Sequence, residues 1–347
     1  MHEFEPSPTP DRLCALVDAF TGLRIPMWVD LVADRFISGT PKRISREAPV
    51  LILRYDGESL IPGGGANAVA NVAALGGSPL PLGVVGDDSV GEELRALFEE
   101  RGIETRGVLV KSGYRTPTKT RILGGGRHAI KQQIVRFDIE DQVQLSPEDR
   151  AAFLDGLHQE PEFPVMVLSD YGYGAVEPSF LVEIREALGS GPLVLGDSRY
   201  RLSEFVGLSG ATPNTEEAVT LLGQRFTDKP EALEPGGVAL RQRLGLDFLL
   251  ITRGSAGMSL FTSEGTAHMP VHGTDQVADV TGAGDTVIGT FALALAAGGT
   301  PLEASCLANY AGGVVVMKTG TATVSQDELR QAVRSDPAVL SAVRWSR

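Results

Sequence analysis

Asp285 stands directly after Gly282-Ala283-Gly284 and directly before a run of small and apolar residues. From Thr286 to Ala297 that run carries no charge and one glycine. It predicts a helix that is apolar almost all round, the kind a protein buries. Gly282, Ala283 and Gly284 would form its N-terminus, where backbone without bulky side chains can come close to a ligand. Unpaired N–H groups and the positive end of the helix dipole draw an anion there, most usefully a phosphate. A carboxylate beside an anion site repels the anion unless its task is to take a proton from the attacking group. That pairing describes phosphoryl transfer. A Gly-x-Gly turn with an acid in the first helical turn is also ordinary dipole chemistry, so the rest of the chain must decide.

A second glycine turn, Pro62-Gly-Gly-Gly-Ala-Asn67, opens another small-residue helix over 66–75. Gly64 would let backbone approach a ligand, and Asn67 offers both donor and acceptor, which suits sugar hydroxyls. Met27 to Gly39 reads as a strand interrupted by Asp30 and Asp34. An acid at the end of an apolar strand faces a ligand or caps the next turn, and Asp34 is read as a ligand contact. Lys119, Arg121 and Arg136 lie on two further strands, 118–123 and 132–138. A solvated strand face would explain these cations equally well, but bidentate Arg also suits phosphate.

The composition narrows the partners. A net charge of −13 argues against nucleic acid and anionic membrane. An anionic substrate then needs a local cluster of cations or a metal ion. Cys14 and Cys306 make neither a disulfide framework nor a zinc site, and the five histidines show no metal-ligand spacing. The N-terminus lacks the basic and apolar regions of a signal peptide, and the apolar run near 287–297 is too short to span a bilayer. A cytoplasmic protein is expected.

These residues must be positioned by an α/β fold. Strand and helix patterns alternate along most of the chain, which predicts a mostly parallel sheet flanked by helices. Asp30, Asp170, Asp197, Asn214 and Thr252 all fall at strand ends, the edge where ligands bind such sheets. Strands within about 40–61 and 115–138 break the alternation and are read as a β lid over that edge. Residues 1–23 are read as an N-terminal extension, 24–347 as the catalytic domain, and Asp327–Val333 and residues up to about 343 as helical. No Walker A pattern occurs, and neither does Asp-Phe-Gly or His-Arg-Asp.

Asp279-Val-Thr-Gly-Ala-Gly-Asp285-Thr and Gly63-Gly-Gly-Ala-Asn67 resemble the two signatures of the ribokinase (PfkB) carbohydrate kinases, and the likeness runs from about 24 to 330. Within that family, Asp30 to Gly39, Arg43 to Val50, Gln132 to Arg136, Leu168 to Tyr171 and Val280 to Gly289 look most like the bacterial heptose-7-phosphate kinases. The resemblance implies a ribokinase-like fold and transfer from ATP to a sugar hydroxyl. Asp285 would be the base, with Gly282, Ala283 and Gly284 holding the phosphoryl group. Asn214-Thr-Glu-Glu217 looks like the family's Asn-x-x-Glu motif, implying Mg²⁺ held partly through water by Glu217 and Asn214. Thr252, Gly254, Gly257 and Asn309 match positions lining the ATP site, as Asp30, Asp34, Gly64 and Asn67 match the sugar site.

The resemblance also leaves room for a monovalent cation, and a homodimer through the lid strands is expected. Its rivals are a kinase for another sugar or nucleoside, such as ribose or fructose phosphate, and a catalytically idle sugar sensor. The chain departs from the family pattern at Val29 (usually Gly), Arg46 (Pro), Tyr173 (Lys) and Asp197-Ser-Arg199 (Asp-Pro-Lys), and in a longer tip over 124–130.

Overall fold

Strands covered on both faces read as unbroken apolar runs. Val165–Leu168 and Phe248–Ile251 do so, and every one of those residues is buried. The computed structural model describes residues 8–126, 131–159, 162–189, 191–223, 230–273, 279–318 and 320–346. Among them lie fourteen strands: β1 (Arg24–Val29), β2 (Leu31–Ile44), β3 (Leu51–Gly64), β4 (Ser78–Gly86), β5 (Val108–Lys111), β6 (Thr118–Gly124) and β7 (Gln132–Ile139), then β8 (Val165–Asp170), β9 (Leu193–Ser198), β10 (Gly210–Ala211), β11 (Phe248–Thr252), β12 (Met258–Phe261), β13 (Thr266–Met269) and β14 (Arg344–Ser346). Ten form one sheet in the order β14-β13-β12-β11-β10-β9-β8-β1-β4-β5, and four form a second, β3-β2-β6-β7.

From β11 to β5 the large sheet is parallel, and its last three strands, β12 to β14, run antiparallel. β1 lies between β8 and β4, so the crossovers diverge beside it. In open α/β sheets that divergence opens a crevice at the carboxyl ends of the strands. Both faces carry a core. Ile25, Met27 and Val29 of β1 point to one and Trp28 to the other, as strand alternation requires. The helix Ala283–Ala296 is buried at every position from Asp285 to Leu295. It packs in the first core with Gly65–Ala74 and Pro301–Val315.

Two expectations change. Residues 10–18 form a helix whose Leu13, Cys14, Leu16 and Val17 are buried in the main core, so this stretch is no extension. Arg12 and Asp18 tie the helix to Glu303 and Arg330 at 2.9 and 2.7 Å. The small sheet begins at Leu31 rather than near 40, because β2 follows β1 after one residue, Asp30. The helices Gln326–Ser335 and Ala338–Ser341 agree with the helical reading up to about 343, and after them comes β14, paired with the short β13 that its four-residue length hid in the sequence. The tip at 127–130 and the lead-in 1–7 lie outside the described residues.

Candidate active site

Gly282 caps the helix Ala283–Ala296 at φ +79°, a conformation natural only to glycine. A Cβ there would lie 2.5 Å from Asn67 Nδ2. The turn it makes lines three adjoining cavities. Val280, Gly282 and Gly284 border a cleft of about 690 Å³ shared with Asp197, Asn214, Glu217 and Thr252. Gly282 and Asp285 border a basic pocket of about 250 Å³, and Ala283 and Gly284 an apolar one of about 170 Å³. Beyond the α-carbon of Gly284 there is open space for 4 Å, so its backbone is bare to the cleft. The N–H of Ala283 reaches only a distant carbonyl, Val280 at 3.3 Å. Such a turn suits the oxygens of a phosphoryl group.

Asp285 is buried, yet its carboxylate faces the basic pocket. Asn67 Nδ2 donates to Oδ2 at 3.0 Å and the Tyr171 hydroxyl donates to Oδ1 at 2.8 Å. Burial pushes its pKa up to about 7, against the pull of those two bonds; Asp34 raises it further and Lys119 lowers it. A carboxyl poised near neutrality can accept a proton from a hydroxyl and give it up again.

The basic pocket is lined by Lys119, Arg121, Arg136 and Arg199, set against Asp34 and Asp285. Four cations against two carboxylates leave it positive inside an acidic protein, so it suits an anionic ligand. Asp34 Oδ1 accepts from Arg121 at 2.6 Å and Oδ2 from the Thr321 hydroxyl at 2.8 Å. Arg136 is paired with Asp138. Lys119 lies 5.0 Å from the centre of the Tyr171 ring, and desolvation lowers its pKa. Gly64 borders the same pocket at φ +50°, and a Cβ there would meet the Tyr171 ring at 3.2 Å.

Thr252, Gly254, Gly257 and Asn309 all line the apolar pocket. Gly257 is indispensable to its shape: at φ +86° a Cβ would sit 2.1 Å from the carbonyl of Met269. Asn309 lines the same pocket and donates to the Pro270 carbonyl at 2.8 Å. In the cleft, Asn214 and Glu217 form a capping box at the helix Thr215–Leu222, each side chain accepting the other's N–H at 2.9 Å. One oxygen of each acid amide or carboxyl is thereby spent on the helix. Asp197 is driven well above the usual carboxylate range by burial and by the charges of Glu217, Asp285 and Asp170. Among the described residues no group of three His, Cys, Asp or Glu is placed to hold a metal ion.

Two assignments to the sugar site are corrected. Asp30 is fully buried and both its oxygens are taken by backbone N–H groups of Tyr171, Tyr173 and Ala175. Asn67 spends its amide on Asp285 and Gly282 and its carbonyl on Asn71, so it orients the acid and does not meet the pocket. Four lining residues are given no site role by the sequence: Tyr171, Arg199, Thr281 and Thr321. Arg199, noted only as a departure from a pattern, borders both the basic pocket and the cleft. The other departures stand away from the basic pocket: Val29 is core, Arg46 is exposed, and Tyr173 is buried against Asp30.

A family model of pfkB carbohydrate kinases matches residues 29–153 and 201–328, most of the chain. The chain belongs to the pfkB family of carbohydrate kinases. It is 36% identical over 333 residues to the bifunctional protein HldE of Mesorhizobium japonicum, covering 94% of this chain and 65% of that one. It is 40% identical to the HldE of Halorhodospira halophila, covering 94% and 69%. The chain thus spans about two thirds of the length of these relatives. Among solved structures it is similar to Escherichia coli phosphofructokinase-2 in complex with substrates and products, at a TM-score of 0.74, 19% identity and coverage of 91% and 99%. Arabidopsis thaliana ribokinase complexed with ribose and ATP gives 0.70, 19%, 90% and 99%. These two establish the ribokinase-like fold.

Proposed function

We propose that this kinase transfers the γ-phosphoryl group of ATP to the anomeric hydroxyl of a heptose 7-phosphate, as a cytoplasmic homodimer. The observation that carries the reading is Asp285, which stands where a positive pocket meets a phosphate-sized turn. The segments that resemble heptose-7-phosphate kinases supply that pocket with Asp34, Arg136 and Tyr171. Lys119, Arg121, Arg136 and Arg199 would hold the sugar's own phosphate, leaving the far end of the sugar at Asp285. Adenine fits the apolar pocket, between Gly257 and Asn309, and the triphosphate runs along the cleft to Gly282–Gly284.

In the transfer, Asp285 takes the proton of the sugar hydroxyl as its oxygen bonds to the γ-phosphorus. The bond from that phosphorus to the β–γ bridging oxygen breaks, and ADP leaves with the electron pair. N–H groups of the 282–284 turn receive charge that builds on the transferring oxygens. Glu217 and Asn214 would hold Mg²⁺ partly through water, and the ion would offset charge between the β- and γ-phosphates.

Release of ADP over a panel of phosphorylated and free sugars tests the substrate. Heptose 7-phosphate should give the highest kcat/KM; preference for free ribose or a nucleoside would reject it. Asp285→Asn should lower kcat by at least about a hundredfold while ATP still binds. Full turnover in that variant would remove the base assignment.

A further inference from the structure

Asp30 sits in the core with three backbone donors, at Tyr171 (2.8 Å), Tyr173 (3.0 Å) and Ala175 (3.0 Å). Asp170 takes a fourth, the N–H of Gly172 at 3.0 Å, and is itself held by Ser198 and Arg201. Trp28 Nε1 donates to the Ala175 carbonyl at 2.7 Å. The loop 171–175 is therefore stitched to buried side chains at nearly every residue. A buried carboxylate meeting three N–H groups fixes a backbone far more firmly than a solvated loop can fix itself.

What this loop presents is the Tyr171 side chain. The absent Cβ of Gly64 makes room for one edge of its ring, and Lys119 stands over the face at 5.0 Å. The hydroxyl then reaches Asp285 Oδ1 at 2.8 Å, opposite Asn67 on Oδ2. The match to the family model stops at 153 and resumes at 201, so this tyrosine falls in a stretch that match does not cover.

We propose that Tyr171 is a positioning residue for the transfer: its O–H orients the Asp285 carboxylate, and Asp30 acts through the loop to hold that O–H in place. This rests on the reading of Asp285 as the base. With a donor on each oxygen the carboxylate plane is fixed, and Oδ1 keeps a second acceptor site for the sugar hydroxyl. Tyr171 keeps its own proton throughout, since burial and Asp285 hold its pKa well above the usual phenol range. Other charges facing Asp285 are Asp34 from β2, Lys119 and Arg121 from β6 and Arg136 from β7. Asp197 and Arg199 face it from the β9 side. None of these depends on the hydroxyl, so its removal isolates a single hydrogen bond.

Tyr171→Phe keeps the ring between Gly64 and Lys119. In a pH profile of kcat/KM with ATP, Mg²⁺ and heptose 7-phosphate, its acid limb should move up by about one unit. Loss of a donor to the charged form favours the protonated acid, which no purely structural defect would mimic. An acid limb unmoved from wild type overturns the proposal. A ¹³C-carboxyl titration of Asp285 in the substrate-free protein, assigned with Asp285→Asn, asks the same question without turnover. Its midpoint should rise in Tyr171→Phe, and an unmoved midpoint overturns the proposal whatever the enzyme phosphorylates. If the wild-type protein releases no ADP with any sugar, the kinase reading fails, and the titration still decides on Tyr171. Should the Phe variant not fold, 3-fluorotyrosine at 171, a stronger donor, should lower the midpoint; no change there is equally fatal.

Discussion

A buried acid is held at the expense of stability once it ionises, and Asp285 shows where that cost appears. Its pKa rises from 3.8 to about 7 on folding because burial outweighs its two hydrogen bonds. Between those values the folded protein keeps a proton that the unfolded chain has released. Raising the pH through that window therefore draws stability away: little is lost below about pH 4 and the full cost is present above about pH 7. Asp285→Asn removes the charge and keeps an acceptor for Asn67. At pH 8 the variant should be more stable than wild type by about 1–3 kcal/mol, the margin closing towards pH 4. Urea melts at both pH values measure it, and a wild type that is the more stable at pH 8 would show that Asp285 is not a buried ionised acid. Residue type made Asp285, Asp34 and the three cations of the small sheet legible, because charge in an apolar pattern has few uses. It does not separate a polar group that meets a ligand from one that meets the protein itself, so Asp30 and Asn67 read as sugar contacts when they hold the 171–175 loop and the Asp285 carboxylate. Tyr171 entered only within a resembling segment, Leu168 to Tyr171, and its residue type gave no chemical signal, since an aromatic beside a strand end reads as packing.

At the scale of elements, two glycine turns and the helices behind them were readable because helix starts follow local chemistry. Helix Thr215–Leu222 shows what local chemistry leaves unsaid. Asn214-Thr-Glu-Glu217 is both a capping box and the proposed metal contact, and sequence cannot tell which of the two it is. The substitution Glu217→Gln separates them. Gln serves a capping box as Glu does, so the melting temperature should stay within about 2 °C of wild type. The loss of charge should raise the Mg²⁺ concentration for half-maximal velocity by about tenfold. An unchanged Mg²⁺ requirement, measured by ADP release, would leave Glu217 with the helical role alone. The short strands β13 and β14 were invisible for a different reason: four and three residues carry too little alternation to register, and their pairing joins positions far apart in the chain.

For the whole molecule, the small sheet poses the remaining question. β7 is its edge strand, and all of Gln132–Phe137 is exposed. Cross-strand register puts Arg136 opposite Arg121, and Val135 and Phe137 opposite Ile122 and Thr120 on the other face. One face of β7 thus serves the pocket, while the other bares Val135 and Phe137 at 47% and 51% of their surface. Tyr55, on β3 at the opposite edge, is 63% exposed. An open edge with apolar side chains pairs readily with another strand, and a two-fold contact needs only that the same surface meet itself. A second copy of this chain is the proposed occupant. Sedimentation velocity at micromolar concentration should show a dimer, and Val135→Lys with Phe137→Lys should give a monomer that still binds ATP. Because Arg136 lies between the two altered positions, freeing β7 should also raise the KM for the sugar phosphate by about tenfold, the scale of one weakened charged contact. A wild-type monomer would remove the proposed interface, and a double variant that stays dimeric would place it elsewhere; either leaves β7 as an edge held only by β6.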